Sequence, residues 1–512
     1  MQIGMSPDDV AWEQAEDIAD NWLLQFLEIN TLRPIADFIL SHNRGDATEF
    51  AMLRKGSYNI SLRLKYQNGA TVIRLSQPGA VLFPEEKVVN EVSIMRFITD
   101  QTTIPVPFVL HSGTKQESPL ELSPFIIMDY VEHETKMYDA LNTPGCPREK
   151  PGRLDPNIAQ DRLEMLYSQM AGVLLQLSTP SLPRIGSLSQ VDDFTWEVAR
   201  RPLSINMNEL VRLGDLPRSK LLEPQTTFDT ASSYFQYLAD LNLEHLTHQR
   251  NDAITSPDDC RRKYIARCLF RKLARQRRLT TPSLENGPFQ VWCDDLRPAN
   301  VLLSQEMRIV GVVDWEFTYA APVEFSYAPP WWLLIEKPED WAEGIEDWTR
   351  VFGLRLQTFL KVMRECEDRA IEQGRLQEGQ RLSGPMKRSW ESGDFWVVYA
   401  VQHSFAFDLI YWMKIDPRFF GPTEKGPERT WEERADLLSE EEKKEMELLV
   451  AKKMEERDTR PLAWDPDEYT LGFQQELKKR RAKEAEKAVA EVVEADGART
   501  DGTGASRNMS DR

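Results

Sequence analysis

Every second position from Tyr58 to Tyr66 (Tyr58, Ile60, Leu62, Leu64, Tyr66) is apolar or aromatic, the period of a half-buried β-strand. Asn68-Gly69 then makes a hairpin turn into a second strand, Thr71-Val72-Ile73-Arg74-Leu75. Phe50 to Lys55 reads as a short strand ahead of them, with Gly56-Ser57-Tyr58-Asn59 as the turn between, and Phe108 to His111 and Phe125 to Tyr130 complete the set. From Pro84 to Thr99 the spacing becomes helical, with Val88, Val92, Met95 and Ile98 on one side. Leu163, Leu166, Met170, Val173, Leu174 and Leu177 mark a further helix. Residues up to about Arg44 also read as helical, and Trp22 to Leu27 supplies an apolar face for packing onto the body that follows.

Trp396 to Met413 is the most apolar long stretch, but Gln402, His403 and Asp408 interrupt it, so it predicts a buried helix and not a membrane span. Ser439 with Glu442 forms a capping box for a charged helix reaching about Arg457. Pro461 and Pro466 break it, and a second charged helix follows from about Tyr469. Gly497 to Arg512 lacks core formers and predicts disorder.

Composition narrows the partners. A chain of 512 residues with 41% hydrophobic and 28% charged residues has room for a two-lobed body with extensions. Its net charge of -19 argues against nucleic acid as the main partner, and an acidic surface favours a cationic small molecule. The five cysteines are scattered without a Cys-x-x-Cys pair, which suits a reducing compartment and no structural zinc. The amino terminus has no basic segment leading into an apolar core, so a cytoplasmic location is expected. His245 and His248 are helically spaced but have no second ligand pair nearby in the sequence.

The candidate chemistry lies in Phe289 to Leu303 and Ile309 to Glu316. Asp295 precedes Asn300 by five residues, the apolar run Val301-Leu302-Leu303 follows, and a second apolar run ends on Asp314. That spacing matches the catalytic and magnesium loops of kinases. Phosphoryl transfer needs a carboxylate beside the attacking hydroxyl, a role open to Asp295, and oxygen ligands for magnesium, roles open to Asn300 and Asp314. Glu316 falls on the same side of an extended chain as Asp314. Arg74 occupies the strand position of the phosphate-contacting cation. Glu91, between Val88 and Val92, can hold it, with Glu86 as competitor.

Cys293 to Asn300 resembles the His-Gly-Asp-Leu-His-Pro-Gly-Asn motif of the aminoglycoside phosphotransferase family, relatives of choline kinases and, more distantly, of protein kinases. Val312 to Glu316 resembles that family's metal-binding segment, and Tyr319 to Phe325, continuing to Pro329-Pro330-Trp331-Trp332, is similar to a large group of fungal members. Cys293, Asp294 and Ala299 depart from the motif, in place of His, Gly and Gly. The resemblance implies an α+β, two-lobed protein-kinase-like fold that uses ATP and Mg2+ to phosphorylate a hydroxyl on a small molecule. It implies that Gly56 and Ser57 cover the triphosphate and that Met128 to Val131, with Met128 and Tyr130, form the adenine-binding hinge. The expected organisation is an N-terminal helical extension (1–44), a β lobe (45–131), a helical lobe (132–436), a charged helical extension (437–496) and a disordered tail (497–512). The alternative is a nucleotide-binding pseudokinase acting as a scaffold. A protein kinase is disfavoured because no Asp-Phe-Gly or Ala-Pro-Glu segment follows Val313.

Overall fold

The computed structural model describes residues 4–43, 45–147, 150–425, 429–457 and 459–501. Five strands form one antiparallel sheet: β1 (Ala47–Lys55), β2 (Asn59–Tyr66), β3 (Gly69–Ser76), β4 (Val109–Gly113) and β5 (Phe125–Asp129), in the order β1-β2-β3-β5-β4. Successive residues of a strand point to opposite faces, so one sheet serves two cores. Ile60, Leu62, Leu64, Ile73, Leu75, Phe125 and Ile127 pack outward. Val72, Ile126 and Met128 pack inward with the helical part of the chain, and Arg74 shares the parity of Val72.

The outward face is roofed by the ends of the chain. Helices α1 (Asp9–Leu24) and α2 (Ile29–His42) lay Ile18, Trp22, Ile35 and Ile39 on it, Phe26 adds to them from the 3-10 turn Gln25–Leu27, and Phe473 joins from the helix Glu468–Asp501. The segment before α1 also grips the helical part: Met5 N donates to Phe405 O at 3.3 Å and Asp8 N to Leu213 O at 2.8 Å. Asp8 caps α1 and accepts from Asn251 N at 2.9 Å and Asn251 Nδ2 at 3.0 Å. The N-terminal helices therefore touch both the sheet and the larger helical body.

Helix α3 (Pro84–Gln101) crosses under the sheet and buries Val88, Val92, Met95 and Ile98. Beyond it the chain is mostly helical. Three small antiparallel sheets interrupt the helices: β6 (Thr135–Lys136) with β10 (Val301–Leu303) and β11 (Ile309–Val312); β7 (Ser187–Asp192) with β8 (Thr195–Arg200); and β9 (Gln290–Cys293) with β12 (Thr318–Ala321). No helix among the described residues is long and apolar enough to cross a membrane. The apolar stretch from Trp396, expected as one helix, is broken: one helix ends at Gln402, the next begins at Phe407, and Ser404 N between them donates to Asn206 Oδ1 at 3.1 Å.

The helix Glu440–Glu456 starts with the Ser439–Glu442 capping box and packs on the helix Pro257–Arg275, where Arg261 meets Glu447 at 2.8 Å. The chain then returns to the sheet: Tyr469 Oη donates to Ser76 O at 2.9 Å, and Phe83 N donates to Asp467 Oδ2 at 3.0 Å. The tail expected from Gly497 lies outside the described residues from position 502 onward.

Trp22 is 1% exposed at the centre of the roof. Trp22→Ala should cost about 3–5 kcal/mol of unfolding free energy, the usual cost of truncating a large aromatic in a packed core. Chemical denaturation followed by circular dichroism measures this, and a change within error would show the roof to be a loose appendage.

Candidate active site

A cleft of about 530 Å³ lies between the sheet and the helical body, and its wall includes Gly56, Arg74, Asp295, Asn300, Asp314 and Glu316. Its floor is built by hairpin register. Val301 pairs with Val312 across β10 and β11, so Asn300 and Val313 face each other at the strand ends, and Val313 N donates to Asn300 O at 2.9 Å. Asp314 follows with φ of 67°, a left-handed turn that ends the strand. Asp295 is held from the other side: Asn300 Nδ2 donates to its Oδ2 at 2.8 Å and Arg297 Nε to its Oδ1 at 2.6 Å.

The sheet supplies the opposing charges. Arg74 pairs with Glu91 and also meets Asp314 at 2.7 Å, so both arms of its guanidinium fork are taken by carboxylates. Glu86, the competing partner, pairs with Arg201 instead, at 2.5 Å. Lys87, one helical turn before Glu91 and 1% exposed, pairs with Glu316 and donates to Asn59 Oδ1 at 2.8 Å; Asn59 Nδ2 donates to Glu316 Oε2 at 3.0 Å. Sequence reasoning missed Lys87, which reads as one more polar residue in Glu-Glu-Lys. It also passed over Arg297, a further departure from the motif's His, and over Arg54 and Lys136, two more cations in the cleft wall.

Gly56 and Ser57 form the β1–β2 turn, closed by Gly56 N donating to Asn59 O at 2.8 Å. Gln77 Nε2 donates to Gly56 O at 2.8 Å, and Tyr58 Oη reaches across the cleft to Glu209 Oε1 at 3.0 Å. At the end of β5, Asp129 N and Tyr130 N are spent on Phe108 O and Ala70 O. Met128 lies inside the strand with its side chain in the cleft wall, and Val131 N has no hydrogen-bond partner among the described residues. The other three motif departures are accommodated. Cys293 is buried and burial pushes its thiol up, away from nucleophile chemistry. Asp294 is pushed up to about 6 by burial, with Ile205 N, Trp292 Nε1 and Tyr319 Oη donating to it at 3.0, 2.8 and 3.2 Å. Ala299 lies within the short 3-10 turn Pro298–Asn300.

Whether these oxygens suit a hard cation can be judged from their bonding. Asn300 spends its amide nitrogen on Asp295, which leaves its oxygen for a ligand. Burial first, then Glu316, pushes the Asp314 carboxyl up to about 7 against the pull of Arg74, the condition of a buried carboxylate short of positive charge. Among the described residues no cluster of three or more His, Cys, Asp or Glu side chains forms a metal cage, and His245 is instead paired with Gln249 at 2.7 Å. One carboxylate and one amide oxygen fit magnesium, which keeps several waters and takes its other ligands from phosphate.

A model of the phosphotransferase enzyme family matches residues 52–355. Comparison with curated proteins finds no match. Among solved structures, the chain is similar to a thermostable mutant of aminoglycoside phosphotransferase APH(4)-Ia in a ternary complex with AMP-PNP and hygromycin B. The identity is 13% and the TM-score 0.37, over 74% of this chain and 98% of that one. It is also similar to such a mutant in complex with ADP and hygromycin B, at 14% identity and TM-score 0.38 over 74% and 97% of the two chains. A third is a macrolide 2'-phosphotransferase type I, at 13% identity and TM-score 0.37 over 72% and 90%.

Lys87 also has a pH signature. Burial raises the Glu316 carboxyl, but Lys87 and Arg74 outweigh burial and hold it below its ordinary range. A lowered carboxyl contributes stability above its unfolded pKa and loses it as pH falls through the folded value. Lys87→Met removes that contribution and should cost about 3–5 kcal/mol near pH 7. The gap to wild type should narrow only as pH falls beneath the ordinary carboxyl range and through the lowered Glu316 value, where the carboxyl becomes neutral in both proteins. Denaturant unfolding near pH 7 and below that lowered value reads this; an equal gap at both would break the assignment.

Proposed function

Because the chain belongs to the phosphotransferase enzyme family, we propose that it uses ATP and magnesium to phosphorylate a hydroxyl of a small molecule, in the cytoplasm. The observation that carries the reading is the hairpin register: Asn300 and Asp314 sit at one end of the β10–β11 pair, and Asn300 also orients Asp295. A base, a neutral oxygen and a charged oxygen thus share one rigid support.

In this reading Asp295 takes the proton of the attacking hydroxyl, with Arg297 and Asn300 fixing its two oxygens. Asn300 and Asp314 would hold magnesium, which when bound neutralises charge on the phosphate oxygens. Arg74, kept in place by Glu91, faces the phosphates along with Arg54 and Lys136, and the Gly56-Ser57 turn covers them. Val131 N, beside Met128 and Tyr130, offers an open donor to the adenine edge. Five free cysteines and no disulfide suit the reducing compartment. Trp292, Asp294 and Ile205 bring the acceptor side of the cleft up to Asp295.

Asp295→Asn keeps the shape and removes the base. Turnover should fall by about 10²–10⁴-fold while the KM for ATP changes little, since only an interaction made in the transition state is lost. ADP release measured with a phosphorylatable acceptor tests this, and undiminished turnover would remove Asp295 from the role.

A further inference from the structure

The cleft wall continues past Asp295 onto Trp331, Lys337, Gln402 and His403, from the helical body. Trp331 opens the turn Trp331–Leu334, Lys337 follows that turn, and Gln402 ends the helix Asp394–Gln402 at the helix interruption described above. Lys337 is half-buried, makes no ion pair among the described residues, and holds its ammonium 5.7 Å from the centre of the Trp331 ring. Gln402 Nε2 is buried and has no hydrogen-bond partner among the described residues. A buried donor left unmade is costly, so its retention in the same cleft wall as the Lys337 ammonium calls for an acceptor atom.

The carboxylates nearby are already served. Asp294 accepts from three donors, and Glu339 accepts from Tyr399 Oη at 2.6 Å. His403 stacks on Tyr399 at 3.9 Å, and burial with Lys337 beside it pushes its pKa down to about 3, so it carries no charge at neutral pH. The open groups at this end are therefore the charged Lys337 donor, the Gln402 amide and His403 Nε2, an acceptor because Nδ1 donates to Tyr399 O at 2.9 Å. An amine-bearing acceptor would set like charge against Lys337 where solvent is partly excluded. A carboxylate offers two oxygens to two donors. A phosphate dianion would demand more cations than the single Lys337.

On the phosphotransferase reading above, we propose that the acceptor is a hydroxy acid, its hydroxyl at Asp295 and its carboxylate held by Lys337 and Gln402 over Trp331. The hydroxyl oxygen bonds to the γ-phosphorus as the bond from that phosphorus to ADP breaks, and the hydroxyl proton passes to Asp295. An adjoining apolar recess of about 50 Å³ shares Trp331 and Gln402 with the cleft and gives the carbon chain room for a small branch. The acidic overall charge of the protein points toward a cationic acceptor, and the side chains of this pocket reverse that expectation.

Two matched sets test the assignment on the full chain with ATP and magnesium: 4-hydroxybutyrate, 4-hydroxybutyramide and 4-aminobutan-1-ol, and gluconate, gluconamide and glucamine. Product is read by mass spectrometry and by ADP release. The acid of at least one set should be phosphorylated with kcat/KM roughly ten-fold or more above its amide, and the amine least. Lys337→Gln should raise the KM for that acid by roughly ten-fold with kcat and the KM for ATP nearly unchanged; Lys337→Arg should restore most of it. Preference for an amide or amine, phosphorylation of no compound while ATP binding persists, or a Lys337→Gln effect equal on all three members of a set overturns the proposal. Absence of ATP binding in a thermal-shift titration of the wild type overturns instead the reading on which it rests.

Discussion

Two carboxylates, Glu316 buried and Asp314 half-buried, lie between the sheet and the helical body, and the cations that meet them, Lys87 and Arg74, come from the sheet side. A carboxylate taken out of water costs several kcal/mol unless it is paired and hydrogen-bonded. The pairing here therefore does two things at once. It offsets the cost of placing these carboxylates in the Asp314–Glu316 loop, and it ties that loop to β3 and α3. Asn59, at the start of β2, completes the arrangement by bonding to Glu316, which links the glycine turn to the same cluster. Loosening this cluster would release the Gly56-Ser57 turn, Arg74 and the Asp314 loop together.

The outer roof supports that arrangement from behind. A five-stranded sheet with apolar side chains on both faces cannot stay open to water on one of them. Covering it with α1, α2 and the C-terminal helix settles the problem with segments that also bond to the helical body, at Leu213, Phe405 and Asn251. Chain ends that appear as extensions in the sequence are structurally part of the sheet's packing. The charged segment after Ser439 follows the same logic: its polar face is long, but Met446, Leu449 and Val450 are buried against the helical body.

What could be seen in the sequence follows from how local each signal is. The strand alternation of Ile60, Leu62 and Leu64, the capping box at Ser439 and the parity of Arg74 with Val72 are set by neighbours within a few residues. The Asp295, Asn300 and Asp314 spacing is legible because one hairpin generates it. Lys87 was not, since its meaning depends on Glu316, 229 positions away. The helix break at His403 was hidden because the backbone freed there bonds to a remote partner, Ser404 N donating to Asn206 on a distant helix. The β7–β8 hairpin escaped because Val191 and Phe194 at its tip are exposed, so no buried period marks it.

The same distinction separates the surface from the pocket. A net charge of -19 is a property of the whole chain, and in physiological salt each surface carboxylate is screened beyond about 8 Å. Lys337 acts at contact distance, beside an aromatic ring and a partly excluded solvent, where an unpaired ammonium is screened far less. Overall charge then governs how fast a charged molecule approaches, while the few desolvated donors at the end of the cleft govern which one stays. An acidic protein can accordingly retain an anionic ligand, provided the carboxylates nearest the binding position are already satisfied by hydrogen bonds. Asp294 and Glu339 meet that condition.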